Sequence, residues 1–345
     1  MNRILAILLL AFCFSVVASA QEVQVEANPN PSLFGSSLPT VMQRQPDGKI
    51  IVGGGIQWIG TQPIQNLARL NSDGSLDTSW TPAIPGVVDT ATLASDGSLY
   101  VYYATSPQTI DDGFARVVRI DTTGDGNADA SFRLLLPGGV SGGIWAIALD
   151  EAGGAIYLSL GSKVLRYRLL DASQDLAFQV DVGGGSVEAM TMVGGDLLLG
   201  GSFSTVNGVA RRKLARVNST SGTVDMGWDP GAASSTSSRV FALLVDGNHV
   251  FIGGSFSNFG GGTNYNLARV SLADASMDPA WSGDVTDTLW PYVIKKDNQS
   301  RILIYGSPNQ VAPTSWSGNM ARYLPNGQLD SSWRDASLKP IASGS

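Results

Sequence analysis

A phrase of about fifteen residues recurs along the chain and constrains the fold more than any other feature. It reads NLARLNSDGSLDTSW at 66–80, LARVNSTSGTVDMGW at 214–228, LARVSLADASMDPAW at 267–281 and MARYLPNGQLDSSW at 320–333. When the chain is aligned on Asp-x-x-aromatic, six copies appear, and consecutive aromatic positions lie 46 to 53 residues apart. Self-similarity at a period of this size is typical of repeat architectures, in which each repeat folds as one unit against its neighbours.

Each copy also carries an Arg eight to ten residues before its Asp. The Arg, Asp and aromatic positions of repeats 1 to 6 are Arg69, Asp77 and Trp80; Arg119, Asp129 and Phe132; Arg166, Asp175 and Phe178; Arg216, Asp225 and Trp228; Arg269, Asp278 and Trp281; and Arg322, Asp330 and Trp333. A catalytic group is needed once, so a sixfold recurrence indicates packing. We predict that each Arg forms a bidentate ion pair with its Asp, called here the repeat pair, and that the aromatic fills the space between neighbouring repeats.

Short β-rich runs separated by glycine turns dominate the chain, and no long stretch has the 3.6-residue apolar period of a helix. Repeat 1 predicts four strands, at about 40–45, 49–54, 66–70 and 76–80. Asp-Gly dipeptides between them supply the positive φ that two-residue hairpins require. Four antiparallel strands per repeat are typical of a propeller blade. The sequence therefore predicts an all-β fold, a six-bladed β-propeller of four-stranded antiparallel blades.

The first twenty residues have the pattern of a secretory signal peptide. Arg3 precedes an apolar run at 4–17, and Ala-Ser-Ala at 18–20 matches a small-x-small cleavage site. We expect 1–20 to be removed, 21–40 to be an N-terminal segment that helps to close the ring, 41–335 to be the propeller and 336–345 a tail. The mature protein is then secreted, periplasmic or at the cell surface, and it lacks a disulfide because Cys13 is the only cysteine.

The charge balance disfavours two classes of partner. The formal net charge is −7 and the chain contains no basic block, which argues against a nucleic-acid surface. No apolar run after the signal peptide is long enough to span a membrane. The partners that remain open are a glycan, a peptide or a protein.

Three segments resemble a known family. QPDGKIIVGG at 45–54, GGSFSTVNGVARRKLARVN at 200–218 and the repeated phrase at 66–80 are similar to the delta-60 repeats of bacterial secreted and surface proteins. Repeats 1, 4 and 5 match well and repeat 6 fairly, whereas repeats 2 and 3 carry VYYATS and YLSLGS in place of Gly-Gly-Ser-Phe. The resemblance implies an extracellular β-propeller module and carries no agreed catalytic activity.

The segment DTTGDGNAD at 121–129 is the strongest metal candidate. Oxygen-bearing side chains stand at positions 1, 3, 5 and 9 of a calcium-loop pattern, with glycine at position 6; they are Asp121, Thr123, Asp125 and Asp129. Phe132 occupies the place of the bidentate glutamate, and the segment also aligns with the ordinary turn of repeat 1. Calcium therefore stays an alternative to a simple turn, and no other cofactor is expected. The lone His249 reads as a strand-end residue, because a zinc site or relay needs more partners.

Aromatic residues outside the repeated phrase are the candidate ligand contacts. Trp58 and Trp316 fall in the long, variable connections between second and third strands, which we expect to lie on the ligand face. An alignment of first strands places Trp145, Glu188, Phe241 and Trp290 in one slot, so two indoles are expected to flank a channel mouth. The competing interpretation is that these rings pack between repeats.

The favoured function is a non-enzymatic secreted or surface scaffold that binds a glycan, peptide or protein. The alternative is an extracellular hydrolase or lyase acting on polysaccharide, and a third interpretation is a calcium-stabilised structural module. A fold does not decide among these. Two or three clustered carboxylates would favour the enzyme, and an aromatic-rich, acid-poor surface would favour binding.

Overall fold

The computed structural model describes residues 33–104, 117–134, 136–137, 143–231, 237–257, 259–261, 264–281, 289–297, 299–308 and 320–330. The expected signal peptide, the tail, Trp316 and Trp333 lie outside these ranges. The chain divides into two compact units. Unit 1 runs to Tyr157 and includes Arg166–Asp175, and unit 2 comprises Leu158–Leu165 and the chain from Leu176 onward.

Unit 1 contains two antiparallel sheets. Its strands are β1 (Leu33–Arg44), β2 (Ile50–Ile59), β3 (Gln62–Pro63), β4 (Leu67–Leu70), β5 (Val87–Leu93), β6 (Ser98–Ala104), β7 (Val117–Asp121), β8 (Ala128–Leu134) and β9 (Ile144–Asp150). In the first sheet β2 pairs with β1, β3 and β4, and in the second the order is β5-β6-β7-β8. β1 begins at Leu33, so part of the expected N-terminal segment belongs to the strand of repeat 1.

Unit 2 contains the sheets of repeats 4, 5 and 6. β10 (Ala155–Leu160) and β11 (Lys163–Arg168) cross the boundary between the units. The strands that follow are β12 (Val180–Gly183), β13 (Val187–Val193), β14 (Asp196–Gly201), β15 (Thr205–Val206), β16 (Val209–Ala210), β17 (Leu214–Asn218), β18 (Arg239–Asp246), β19 (His249–Ser257), β20 (Tyr265–Ser271), β21 (Leu289–Lys296), β22 (Ile302–Pro308) and β23 (Met320–Tyr323). The sheet orders are β13-β14-β17, β18-β19-β20 and β21-β22-β23. The single helix among the described residues is a 3-10 turn at Phe259–Gly261.

The fourth strand of most repeats is replaced by a turn. Leu76, for example, makes one bridge with Leu70, and the chain then turns at Asp77. The Asp77 Oδ1 accepts hydrogen bonds from the amide and hydroxyl of Ser79, at 3.1 and 2.6 Å, and thereby closes an Asx-turn. The prediction of a full fourth strand at 76–80 is therefore wrong, because the side chain of the repeated Asp satisfies the amide that a longer ladder would use.

The hairpin turns include two short types. At the first turn Gly48 has a φ of 89°, its amide donates to the Gln45 carbonyl, and the amide of Gln45 donates to Lys49. This is a three-residue loop with a bulge glycine, and the same pattern recurs at 71–75, 94–98 and 324–328. The expected two-residue loop forms in repeat 5, where Asp246 pairs directly with His249.

Neighbouring sheets within each unit share their cores. One cluster joins Leu198, Leu214 and Trp228 of repeat 4 to Val240 and Ile252 of repeat 5. Equivalent clusters join repeats 1 and 2 in unit 1 and repeats 5 and 6 in unit 2. Each fully buried aliphatic or aromatic side chain contributes roughly 1.5–3 kcal/mol. A repeat therefore derives much of its stability from its neighbour, as expected for a repeat architecture.

Candidate functional site

The ion pair of the repeat motif forms in all six repeats, but its geometry differs from the predicted one. In repeat 4 the Nε and Nη2 atoms of Arg216 lie 2.7 and 2.5 Å from the same oxygen, Oδ2 of Asp225. The other oxygen accepts the amide of Gly227 at 2.9 Å. The guanidinium thus binds one carboxylate oxygen, while the other closes the Asx-turn. The remaining pairs are Arg69–Asp77, Arg119–Asp129, Arg166–Asp175, Arg269–Asp278 and Arg322–Asp330.

The repeat pair also bridges to the next repeat. Arg216 donates from Nη1 to the carbonyl of Leu272 at 2.8 Å, and its guanidinium lies 5.4 Å from the ring centroid of Trp228. The indole of Trp228 is fully buried and donates to Ser271 at 3.3 Å. Arg69 and Trp80 reach repeat 2 in the same way, at Thr122 and Asp121. The aromatic therefore fills the space between neighbours, and this set of residues explains packing rather than chemistry.

In four of the six repeat pairs the pKa of the carboxyl group is lowered, at Asp77, Asp129, Asp225 and Asp278. At Asp77, desolvation raises the pKa, but hydrogen bonds from Lys49, Ser79 and Arg69 outweigh it and keep the pKa well below the ordinary value. At Asp129, hydrogen bonds from Ser131 and Arg119 likewise hold the pKa far below its usual range. Such groups are poor proton donors at neutral pH, which fits a structural role.

The candidate calcium segment uses its carboxylates in separate local turns. Asp121 accepts from the amide and hydroxyl of Thr123, both at 2.7 Å, and Asp125 accepts from Asn127. Asp129 is occupied by Ser131 and Arg119. Among the described residues, no three His, Cys, Asp or Glu side chains come together as ligands. Each carboxylate thus serves a local turn or an ion pair of its own, and calcium at 121–129 stays a prediction.

The first strands of the repeats share a β-bulge at one position. A single residue stands between two paired positions of β1, β5, β13, β18 and β21, and these residues are Thr40, Asp89, Glu188, Phe241 and Tyr292. In β9, exposed Trp145 follows buried Ile144, as Asp89 follows buried Val88 and Tyr292 follows buried Pro291. A bulge bends the strand and re-aims a side chain. We call these six residues the bulge positions.

The repeated Gly-Gly opposite the bulge has a steric cause. A Cβ on Gly254 would lie 2.0 Å from the carbonyl oxygen of Arg239, just before the bulge. A Cβ on Gly253 would lie 2.8 Å from Pro291 of the next repeat. One glycine therefore admits the bulge, and the other admits the neighbouring sheet.

Three bulge positions of unit 2 form a continuous group with Arg239. Its Nε lies 3.2 and 3.1 Å from the two carboxylate oxygens of Glu188, and its Nη2 lies 3.0 Å from one of them. The guanidinium stacks 5.1 Å from the Phe241 ring centroid, which in turn lies 4.8 Å from the ring of Tyr292. We call Glu188, Arg239, Phe241 and Tyr292 the bulge strip. Its carboxylate is buried, whereas Arg239 and Tyr292 reach solvent.

Further polar groups surround the buried carboxylate. Ser186 donates to Glu188 at 3.1 Å and contacts Ser202, whose carbonyl accepts from the buried ammonium of Lys213 at 2.8 Å. Burial lowers the pKa of Lys213, Arg212 lowers it further, and the charge of Glu188 opposes both. Lys213 also adopts a φ of 71°, which is uncommon for a lysine. The hydrogen-bonding capacity of the Glu188 carboxylate is therefore taken up by neighbouring residues. The charged hydrogen-bond donors of the bulge strip that reach solvent are those of Arg239.

The predicted aromatic contacts lie in different settings. Trp145 is 59% exposed in unit 1, and Trp58 is exposed on β2. Trp290 is only half-buried and pairs with Ser307, so it matches Arg239 and not Phe241. The alignment of Trp290 with Phe241 is wrong by two residues, since the bulge residue of repeat 6 is Tyr292. Asp89, the bulge residue of repeat 2, still reaches solvent, and partial desolvation raises its pKa.

One of the variable connections has a packing role. In unit 2 the hairpin β15–β16 of repeat 4 attaches to β12 of repeat 3, where Val206 pairs with Val182. Asn207 stabilises this contact with two hydrogen bonds. Its backbone amide donates to the Asp181 carbonyl at 2.7 Å, and its side-chain Oδ1 accepts from the Asp181 amide at 2.8 Å. The expectation that the variable connections lie on the ligand face is therefore wrong for the β15–β16 connection.

A family model with the description "Domain of unknown function (DUF5122) beta-propeller" matches three segments of the chain, 45–79, 195–227 and 301–332. Each segment runs from the turn after the first strand to the residue before the aromatic of the repeated phrase. The chain thus carries repeats of a β-propeller type. A search of the curated proteins finds no match.

Solved structures agree on the fold. The WD40 β-propeller domain of Doa1 is similar at a TM-score of 0.53 and 11% identity, over 86% of this chain and 90% of that one. The extracellular domain of the hybrid two-component system BT4673 of B. thetaiotaomicron is similar at a TM-score of 0.50 and 12% identity, over 84% of this chain. The chain spans 36% of that domain's length. The described residues include no helix long and apolar enough to cross a membrane. The fold is all-β and propeller-like.

Proposed function

We propose that the protein is a non-enzymatic β-propeller scaffold, secreted or exposed at the cell surface, that binds a glycan, peptide or protein partner through its bulge strip. The observation that carries the proposal is the bulge strip, in which exposed Tyr292 and Arg239 are held by Phe241 and by buried Glu188. Rigid aromatic rings and a fixed guanidinium are efficient anchors, because they lose little rotamer freedom on binding.

The strip favours binding over hydrolysis. A glycosidase needs two carboxyl groups placed on either side of the scissile bond. The single carboxylate of the strip is buried and fully engaged by Arg239 and Ser186, so it is poorly placed as an acid or nucleophile. Exposed aromatic surface with no free acid in the strip matches the pattern expected of a binding site.

The finer architecture is part of the proposal. We infer six blades that close into a ring, with the N-terminal segment contributing to closure, and membership of the delta-60 repeats of bacterial secreted proteins. The propeller-repeat match and the signal-peptide pattern at 1–20 support this inference, and similarity to an extracellular domain is consistent with it.

An array experiment tests the binding function. The purified protein is applied to arrays of glycans and of peptides, and each hit is measured again with Tyr292→Ala and with Leu176→Ala. Leu176 is an exposed residue of the same unit outside the strip, so its variant is the matched control. We expect hits that Tyr292→Ala loses and Leu176→Ala keeps, and no turnover of the bound ligand. Hits that are cleaved would support the enzyme, and hits indifferent to both variants would place binding elsewhere.

A further inference from the structure

We infer that the bulge strip recognises a carboxylate-bearing sugar ring, as found in uronate-containing polysaccharides. The inference rests on the proposed binding function and specifies its ligand. It depends on which charges of the strip are already satisfied and which are still exposed.

The first strands of repeats 4, 5 and 6 carry an excess of positive charge although the chain is acidic. They contain two acids, Glu188 and Asp246, and both are paired, with Arg239 and Lys296 respectively. Lys295 on β21 has no ion-pair partner among the residues that the structure describes; part of its side chain reaches solvent, while desolvation of the ammonium lowers its pKa. The net charge of the whole chain is −7, so this excess is local. A local excess of this kind favours a ligand that brings its own negative charge.

Arg239 is held in place, and part of its donor set meets no acceptor among the described residues. Its side chain is 46% exposed, whereas that of Glu188 is 4% exposed. Nε and Nη2 face Glu188, and no described residue accepts a hydrogen bond from Nη1. Glu188 on one edge and Phe241 on one face fix the plane of the guanidinium. A planar, pre-oriented arginine suits a carboxylate acceptor. Glu188 is thus a positioning residue, and Arg239 makes the contact.

The aromatic residues of the bulge strip indicate that the ligand is a sugar ring rather than a peptide. Tyr292 is exposed beside Phe241, and its phenol supplies a donor and an acceptor next to an apolar face. A pyranose presents a C–H face and hydroxyls at its rim. The C–H face matches the apolar aromatic face of the strip, and the hydroxyls match its phenol. Peptide carboxylates are typically captured by nests of backbone amides, whereas the strip presents side chains from paired strands. The acidic sugar is therefore the better fit.

Calorimetry with matched ligands tests the inference. Hexamers of galacturonate and of mannuronate are titrated into the purified protein, each beside its fully methyl-esterified form, which keeps the rings and removes the charge. We expect at least one acid form to bind about tenfold or more tightly than its ester, because charge-assisted hydrogen bonds are about twice as strong as neutral ones. Rising salt should weaken the acid form.

Variants separate the contacts from folding. Tyr292→Ala and Arg239→Lys should each weaken the acid form about tenfold with an unchanged melting temperature, since lysine keeps the charge but loses the planar fork. Leu176→Ala should change neither. If no acid form binds better than its ester while array hits still depend on Tyr292, the ligand class is wrong and the binding function stands. Binding of hexaglutamate at the affinity of the uronates would also overturn the ligand class. If the binding of no array ligand depends on Tyr292, the proposed binding function and the proposed ligand class are both wrong.

Discussion

Replacing Asp77 with alanine removes a carboxylate that holds three side chains of repeat 1. Its Oδ2 accepts from Arg69 Nε at 2.9 Å and from Lys49 Nζ at 2.8 Å, and its Oδ1 accepts from Ser79. The side chain of Asp77 is 8% exposed and that of Arg69 is equally buried, so the variant leaves a buried guanidinium without its counter-ion. Removing one partner of a buried ion pair costs about 3–5 kcal/mol.

Urea unfolding of three variants tests this estimate. Asp73→Ala is the matched control, because Asp73 lies in the same hairpin and accepts only exposed hydrogen bonds from Ser75; we expect a loss of about 1 kcal/mol or less. Asp225→Ala should fall between the two, since the Asp225 side chain is 30% exposed and its pair with Arg216 is partly screened by solvent. Equal losses in Asp77→Ala and Asp73→Ala would show that the repeat pair does not stabilise the fold as described.

Three further predictions concern backbone space, pH and metal. Gly254→Ala should lower the unfolding free energy by about 1–3 kcal/mol, while Gly195→Ala, whose new Cβ meets no atom within 4 Å, should be neutral in the same urea titration. The folded pKa of Asp77 lies below its unfolded value of about 3.9, so its stabilisation is complete above that pH and is lost as the pH falls. Unfolding free energies measured on either side of about pH 4 should therefore fall less steeply in Asp77→Asn than in the native protein, and equal slopes would contradict this. The melting temperature should be the same in EDTA and in millimolar calcium, and a rise with calcium would restore segment 121–129 as a metal loop.

Much of the fold follows from local patterns in the sequence. The period, the glycine turns and the alternating apolar runs predict the sheets, and the sixfold Arg and Asp predict their contact. The fourth strand is missed because the prediction weighs alternation in LDTSW and not the competing hydrogen bonds of Asp77 with Ser79. A side chain that hydrogen-bonds to the backbone two residues later ends a strand that the apolar pattern alone would continue.

The candidate site is less accessible to sequence reasoning. A bulge adds one residue without changing composition, so an alignment by aromatic identity chose Trp290 where the register places Tyr292. Gly306, the equivalent of Gly254 in repeat 6, pairs with Pro291 and thereby marks Tyr292 as the bulge residue. Arg239 was missed because its partner Glu188 is 51 residues away and belongs to another repeat. Only the packing of neighbouring sheets reveals that contact.

The most direct test of the division between packing residues and binding residues is a paired measurement on Tyr292→Ala. The affinity of the tightest array ligand and the free energy of unfolding are determined on the same preparation. We expect the affinity to fall about tenfold or more while the unfolding free energy stays within about 0.5 kcal/mol of the native value, because Tyr292 is exposed. A large loss of stability with unchanged affinity of the folded protein would contradict the account and return the bulge strip to the role of packing.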